Sequence, residues 1–182
     1  MINNKITKTI DNKLSDLENS IDRISDLLTY ENVKPIIDDI SKKYNIKLKI
    51  VGGIKRKGYS EHDIDVETDT EISKDIALSI MFDIQKITNS GVDVFVPLDN
   101  SILRYGTTQS IGGWTIHRMS KERRKVVDEY AIKIDELKSK LKDSGRLGKE
   151  LEKLQMERYK TMESTGSPME TLEDYYLPDE RI

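Results

Sequence analysis

In the run Val51-Gly52-Gly53-Ile54-Lys55-Arg56-Lys57-Gly58-Tyr59-Ser60-Glu61-His62-Asp63-Ile64-Asp65-Val66-Glu67, a pair of glycines is followed by a basic loop and then by an acidic segment. Just upstream, Ile46, Leu48 and Ile50 alternate with Lys47 and Lys49, which predicts a strand with one buried face that stops at the glycines. Downstream, Ile64 and Val66 alternate with Asp63, Asp65 and Glu67, which predicts a second short strand. Residues i and i+2 of a strand point to one face, so Asp63 and Asp65 present their carboxylates side by side. Such a pair repels itself. It is tolerable where solvated, and useful where a divalent cation sits between the two groups.

Helices are expected on both sides of this core. Ile36, Ile37, Ile40 and Tyr44 follow a helical period over Val33 to Tyr44, with Pro35 in the first turn and Asn45 as a stop. A second helix is expected over 72–88 through Ile72, Ile76, Ile80, Ile84 and Ile87, ending at Asn89-Ser90-Gly91. Val92-Asp93-Val94-Phe95-Val96 then reads as the strongest strand in the chain, closed by Pro97. An unpaired carboxylate within so apolar a strand is costly, so Asp93 needs a partner. If it joins Asp63 and Asp65, the three oxygens form a ligand set suited to Mg²⁺ or Mn²⁺. Glycines at a strand end let phosphate approach backbone N–H groups, and Lys55, Arg56 and Lys57 add positive charge at the same mouth.

With these features in this order, the chain resembles the nucleotidyltransferase superfamily that includes DNA polymerase β and the small minimal nucleotidyltransferases. The resemblance rests on Val51-Gly52-Gly53, Arg56, Gly58, Ser60, Asp63-Ile64-Asp65-Val66 and Val92-Asp93-Val94, and covers roughly residues 33–98, about a third of the chain. It implies an α+β fold with a small mixed sheet. It also implies a Mg²⁺- or Mn²⁺-dependent transfer of an NMP group from an NTP, such as ATP, to a hydroxyl, releasing pyrophosphate. Asp63 and Asp65 would bind the metal ions chelated by the triphosphate. Asp93 would hold the second metal and help activate the attacking hydroxyl. Gly52 and Gly53 would line the phosphates, with Lys55, Arg56 and Ser60 as further nucleotide contacts. Gly53 departs from the family's usual Ser at that turn and removes a hydroxyl contact to phosphate. The loop leading to Asp63 is about one residue shorter than in the minimal members. The resemblance leaves the acceptor open between a nucleic-acid end, a protein side chain and a small molecule.

Composition narrows the remaining options. Hydrophobic residues make up 36% and charged residues 35% of the 182, so a modest core with surface-rich helices is expected. The chain has no Cys, which excludes disulfides and thiolate chemistry, and its two His, His62 and His117, are too few for a multi-His site. A metal would therefore be held by carboxylates. No apolar run reaches the roughly 18 residues of a membrane span. The N-terminus lacks a signal-like hydrophobic stretch, so the expectation is a cytoplasmic chain without membrane contact.

Four segments are expected: an amphipathic helix (1–29), the nucleotidyltransferase-like domain (30–119), a charged helical hairpin (120–162) and an acidic, mobile or loosely docked tail (163–182). Ile10, Leu14, Leu17, Ile21, Ile24 and Leu28 give the first segment a heptad seam. That seam could dock on the chain's own helices or build a homo-oligomer. Residues 99–119 read as irregular, and Ser120 as the N-cap of a long helix. Lys121, Arg123, Arg124 and Lys125 read as a solvated helix face, with tracking of a polynucleotide acceptor as the other reading. The alternative to an enzyme is a non-catalytic assembly protein that keeps the fold and acts through its coiled-coil helices.

Overall fold

The computed structural model describes residues 28–108, 113–142, 145–166 and 169–175. The chain order is β1 (Leu28–Thr29), α1 (Tyr30–Tyr44), β2 (Leu48–Ile50), α2 (Gly52–Lys57), β3 (Tyr59–Ser60), β4 (Asp63–Thr68), α3 (Lys74–Thr88) and β5 (Gly91–Pro97). There follow β6 (Ser101–Thr107), β7 (Trp114–Ser120), α4 (Lys121–Leu141), α5 (Leu147–Ser164) and β8 (Glu170–Tyr175). The expected mixed α+β architecture is present. Six strands form one sheet in the order β2-β4-β5-β6-β7-β8, while β1 and β3 pair separately. Among the described residues only β4 and β5 run parallel, joined by α3 as the crossover helix such a connection needs.

Local signals explain the helix limits. Thr29, Ser73 and Ser120 each accept a hydrogen bond from the backbone N–H three residues on, at the starts of α1, α3 and α4. Asn45 and Asn89 close α1 and α3 in left-handed conformation, with φ of 53° and 50°. The inward residues of α1 (Val33, Ile37, Ile40) and α3 (Ala77, Ile80, Met81, Ile84) meet Ile64 and Val66 of β4 and Val92, Val94 and Val96 of β5. These helices cover one face of the sheet. Alternation along β4 then forces Asp63 and Asp65 onto the other face, toward α4. No helix among the described residues is long and apolar enough to cross a membrane.

Several expectations are corrected. The described parts of 99–119 are not irregular: they contribute β6 and β7, paired from Ser101↔Ser120 to Thr107↔Trp114. Both faces of β6 and β7 are partly covered, so neither strand shows a clean apolar/polar alternation. The basic stretch after Val51 is not a loop but the short helix α2, which buries Ile54 and ends on Gly58 at φ 84°. The acidic tail is not free over 170–175. Those residues form the edge strand β8, held to β7 by pairing, by a Trp114–Tyr175 ring stack at 5.6 Å and by a Lys74–Glu173 ion pair. The heptad segment over 1–27 lies outside the described residues, and its last two expected positions, Leu28 and Thr29, are strand β1 instead of helix.

The layer of α1 and α3 on the sheet makes Ile80, fully buried, a stability anchor. Ile80→Ala is expected to cost about 2–5 kcal/mol. Ile87→Ala, on the same helix but 60% exposed, should stay within about 0.5 kcal/mol. Urea unfolding of both variants measures the contrast.

Candidate active site under the helical hairpin

Strand register assembles the site. Asp65 on β4 lies directly opposite Asp93 on β5, and Asp63 opposite Gly91, so the three acids share one face. One carboxylate oxygen from each of Asp63, Asp65 and Asp93 lies within 4.8 Å of the others. Asp93 is buried and Asp63 and Asp65 are half-buried. Like charges directly opposite across a sheet destabilise it, so this arrangement calls for counter-charge.

Glycines make the room. Gly52, at φ +62°, packs so tightly that a Cβ on it would fall 1.8 Å from Asp65 Oδ2. Gly106, the cross-strand partner of Asp93 on β6, leaves space that a Cβ would close to 2.6 Å from Asp93 Oδ1. Any side chain at either position would drive a carboxylate from its place. Gly53, in contrast, has ordinary room, and its Cβ would meet nothing closer than 3.7 Å.

Arginines supply the counter-charge. Arg104 on β6 brings Nη2 to 2.7 Å from Asp93 Oδ2. Arg124 on α4 lies with its guanidinium 3.7 Å over the Phe95 ring and is held by Asp128 at 3.0 Å. Burial first, then the neighbouring Asp63 and Asp93, push the Asp65 carboxyl up to about 7 against the pull of Arg124 and Arg104. Burial also raises Asp93 above the usual carboxylate range, against the opposing pull of Arg104. The partner that an Asp inside an apolar strand requires is therefore Arg104.

The hairpin roofs this face. Tyr130 on α4 donates to Glu157 on α5 at 2.8 Å and lies 3.1 Å from the Thr161 hydroxyl, which joins the two helices antiparallel. Between roof and sheet lies a pocket of about 340 Å³ that reaches Gly52, Asp65, Asp93, Arg104 and Arg124. Phe95, Met119, Val127, Ala131, Met162 and Met169 give it an apolar wall.

The expected site residues divide. Asp63, Asp65 and Asp93 come together beside Gly52. Ser60 donates to Asp63 Oδ1 at 3.2 Å and accepts from the Asp63 backbone N–H at 3.3 Å, so its visible role is to hold that carboxylate. Arg56 lines the pocket but is tied to Asp135 of α4 at 3.1 Å. Lys55 is exposed on α2 and does not line the pocket. His62 is exposed, and His117 lies across from Arg104 with a buried Nδ1 that has no partner among the described residues.

Sequence reasoning missed Arg104, Arg124 and Gly106. The demand of Asp93 for a partner was the one signal toward Arg104. Arg123 and Arg124 are not a solvated helix face: both line the pocket, and the Arg124 side chain is only 11% exposed.

The fold and site together define a mixed α+β chain with a glycine-backed tri-carboxylate centre under a helical roof. No family model, curated protein or solved structure matches the chain.

Two outcomes follow from this geometry. Gly52→Ala meets both an unfavourable φ and the Asp65 carboxylate, and is expected to cost about 1–3 kcal/mol in thermal or urea unfolding. Gly53→Ala should be near neutral. The raised Asp65 carboxyl sets a pH trend in the metal-free protein. Its contribution is fully present below the unfolded value near 3.8 and is lost as pH rises through about 7. Relative to Asp65→Asn, the wild type should therefore lose roughly 3–4 kcal/mol between pH 4 and pH 8. Melting curves of both proteins across that range read the difference.

Proposed function

We propose that this chain is a Mg²⁺- or Mn²⁺-dependent nucleotidyltransferase, moving an NMP group from a nucleoside triphosphate to a hydroxyl and releasing pyrophosphate. The observation that carries the reading is the gathering of Asp63, Asp65 and Asp93 oxygens within 4.8 Å, at a spot where glycine clears the space and arginines line the adjoining pocket.

The residues present fit a hard divalent cation. The donor set is all carboxylate oxygen, and the cradle at Gly52 and Gly106 is one that a Cβ would fill. When bound, such ions neutralise phosphoryl oxygens and clamp the attacking and leaving oxygens of an in-line displacement. The chain's own groups do the rest. Asp63, steadied by Ser60, and Asp65 would hold the ions. Asp93, made more basic by burial, would hold an ion and favour loss of the acceptor hydroxyl's proton. Arginines of the pocket would take up charge on the departing pyrophosphate. The roof of α4 and α5 would shield the reacting centre from bulk water.

A pocket of about 340 Å³ is at the lower end of small-molecule sites and suits one nucleotide-sized group under the hairpin. The acceptor hydroxyl would come from a nucleic-acid end, a protein or a small molecule. The cytoplasm, rich in NTP and Mg²⁺, is the compartment this chemistry fits.

Incubation with each labelled NTP and Mg²⁺ or Mn²⁺ tests the reading, with label transfer or pyrophosphate release as the readout. Wild type should turn over at least one NTP. Asp63→Ala and Asp65→Ala should each reduce turnover by on the order of 10²–10³-fold or more, as loss of a principal electrostatic contact does. Absence of turnover with all four NTPs and both cations would overturn the assignment.

A further inference from the structure

Five arginines line the pocket: Arg56, Arg104, Arg123, Arg124 and Arg158. Two of them are tied to acids of the roof, Arg56 to Asp135 and Arg124 to Asp128. Arg104 differs. Among the described ion pairs it is the one that engages a member of the acid cluster, through Nη2 at 2.7 Å from Asp93 Oδ2. A guanidinium and a divalent cation at that carboxylate compete, because both are positive charges drawing on the lone pairs of one group.

The present pose of Arg104 also leaves something unspent. Its Nε is buried and has no hydrogen-bond partner among the described residues, although an arginine in a settled ion pair ordinarily uses its fork more fully. Arg104 stands opposite Phe95, two residue pairs along the sheet from Asp93–Gly106 and so on the same face. From that position its side chain, 35% exposed, lines the pocket while touching Asp93.

Charge balance says what would draw it away. Asp93 is matched by Arg104, Asp128 by Arg124 and Asp135 by Arg56, so each of these guanidiniums already has a carboxylate beside it. A dication that takes Asp93 leaves the Arg104 charge to be met by an anion, and a phosphate monoester carries about −1.5 to −2 at neutral pH.

We propose that Arg104 is the resident counter-cation of the acid cluster, and that a divalent cation taking Asp93 frees its guanidinium to hold the phosphate of a phosphate-bearing ligand in the pocket. The inference rests on the reading of Asp63, Asp65 and Asp93 as a cation site. It does not require that transfer chemistry occurs. Cation and phosphate then bind cooperatively, each tightening the other by the same factor, on the order of 5- to 150-fold.

The test uses Mn²⁺ alone, adenosine 5′-monophosphate alone, and the two together, with free Mn²⁺ read by electron paramagnetic resonance and nucleotide binding by calorimetry. Arg104→Gln, which removes the competing cation, should bind Mn²⁺ alone about fivefold or more tighter than wild type. It should also lose most of the cooperativity with the monophosphate. Asp93→Asn, which frees Arg104, should bind the monophosphate without Mn²⁺ more tightly than wild type does. A folded Arg104→Gln, judged by circular dichroism, that binds Mn²⁺ no tighter than wild type would overturn the exchange while leaving the cation site standing. Wild type that binds no Mn²⁺ would overturn both. If Arg104→Gln does not fold, the Asp93→Asn arm decides, and unchanged monophosphate binding there overturns the exchange.

Discussion

Parallel pairing of β4 with β5 sets Asp65 directly against Asp93, with Asp63 on the same face. That forced meeting of carboxylates is the constraint to which the rest of the molecule answers. Gly52 and Gly106 give the oxygens room, and Arg104 and Arg124 partly offset their charge. Burial wins over those cations, since both Asp65 and Asp93 remain raised above ordinary carboxylates. The register cannot relax to separate the acids. A one-residue slip would turn Ile64, Val66, Val92 and Val94 out of the core formed with α1 and α3. Apolar packing on one face thus holds electrostatic strain on the other.

The two faces also divide the labour of the sequence. α1, α3 and the apolar rows of β4 and β5 are standard core, and any chain with that pattern would form such a layer. The face toward α4 and α5 is less economical. It carries acids, arginines and an apolar wall of methionines around one pocket, under a hairpin joined by Tyr130, Glu157 and Thr161. Local arrangements that core packing alone would not select mark functional or strained sites. The hairpin is therefore part of the site and not an appendage, which sequence patterning alone did not distinguish.

What the sequence disclosed and what it hid have physical reasons. β4, β5, α1 and α3 were legible because each buries one face and solvates or caps the other, giving a clear period and clear ends. The acid triad was legible because strand alternation is a local rule, and Asp93 within Val92–Val96 was conspicuous. β6 and β7 were hidden because helix α3 lies toward one face and the hairpin toward the other, which erases alternation. Arg104 and Gly106 fell in that stretch and went unseen with it. Arg124 was misjudged because a basic helix start looks the same in sequence whether it faces water or Phe95. β8 was hidden because an edge strand with every residue exposed carries no apolar pattern, and only its pairing with β7 defines it.

The most direct test of the account is to locate Mn²⁺ by its anomalous diffraction signal in crystals of the wild-type protein grown at neutral pH with the cation. A peak at about 2.0–2.3 Å from oxygens of Asp63, Asp65 and Asp93, beside Gly52, is the predicted result. Full-strength Mn²⁺ bound elsewhere, with the three carboxylates lacking a peak and Arg104 still on Asp93, would contradict it.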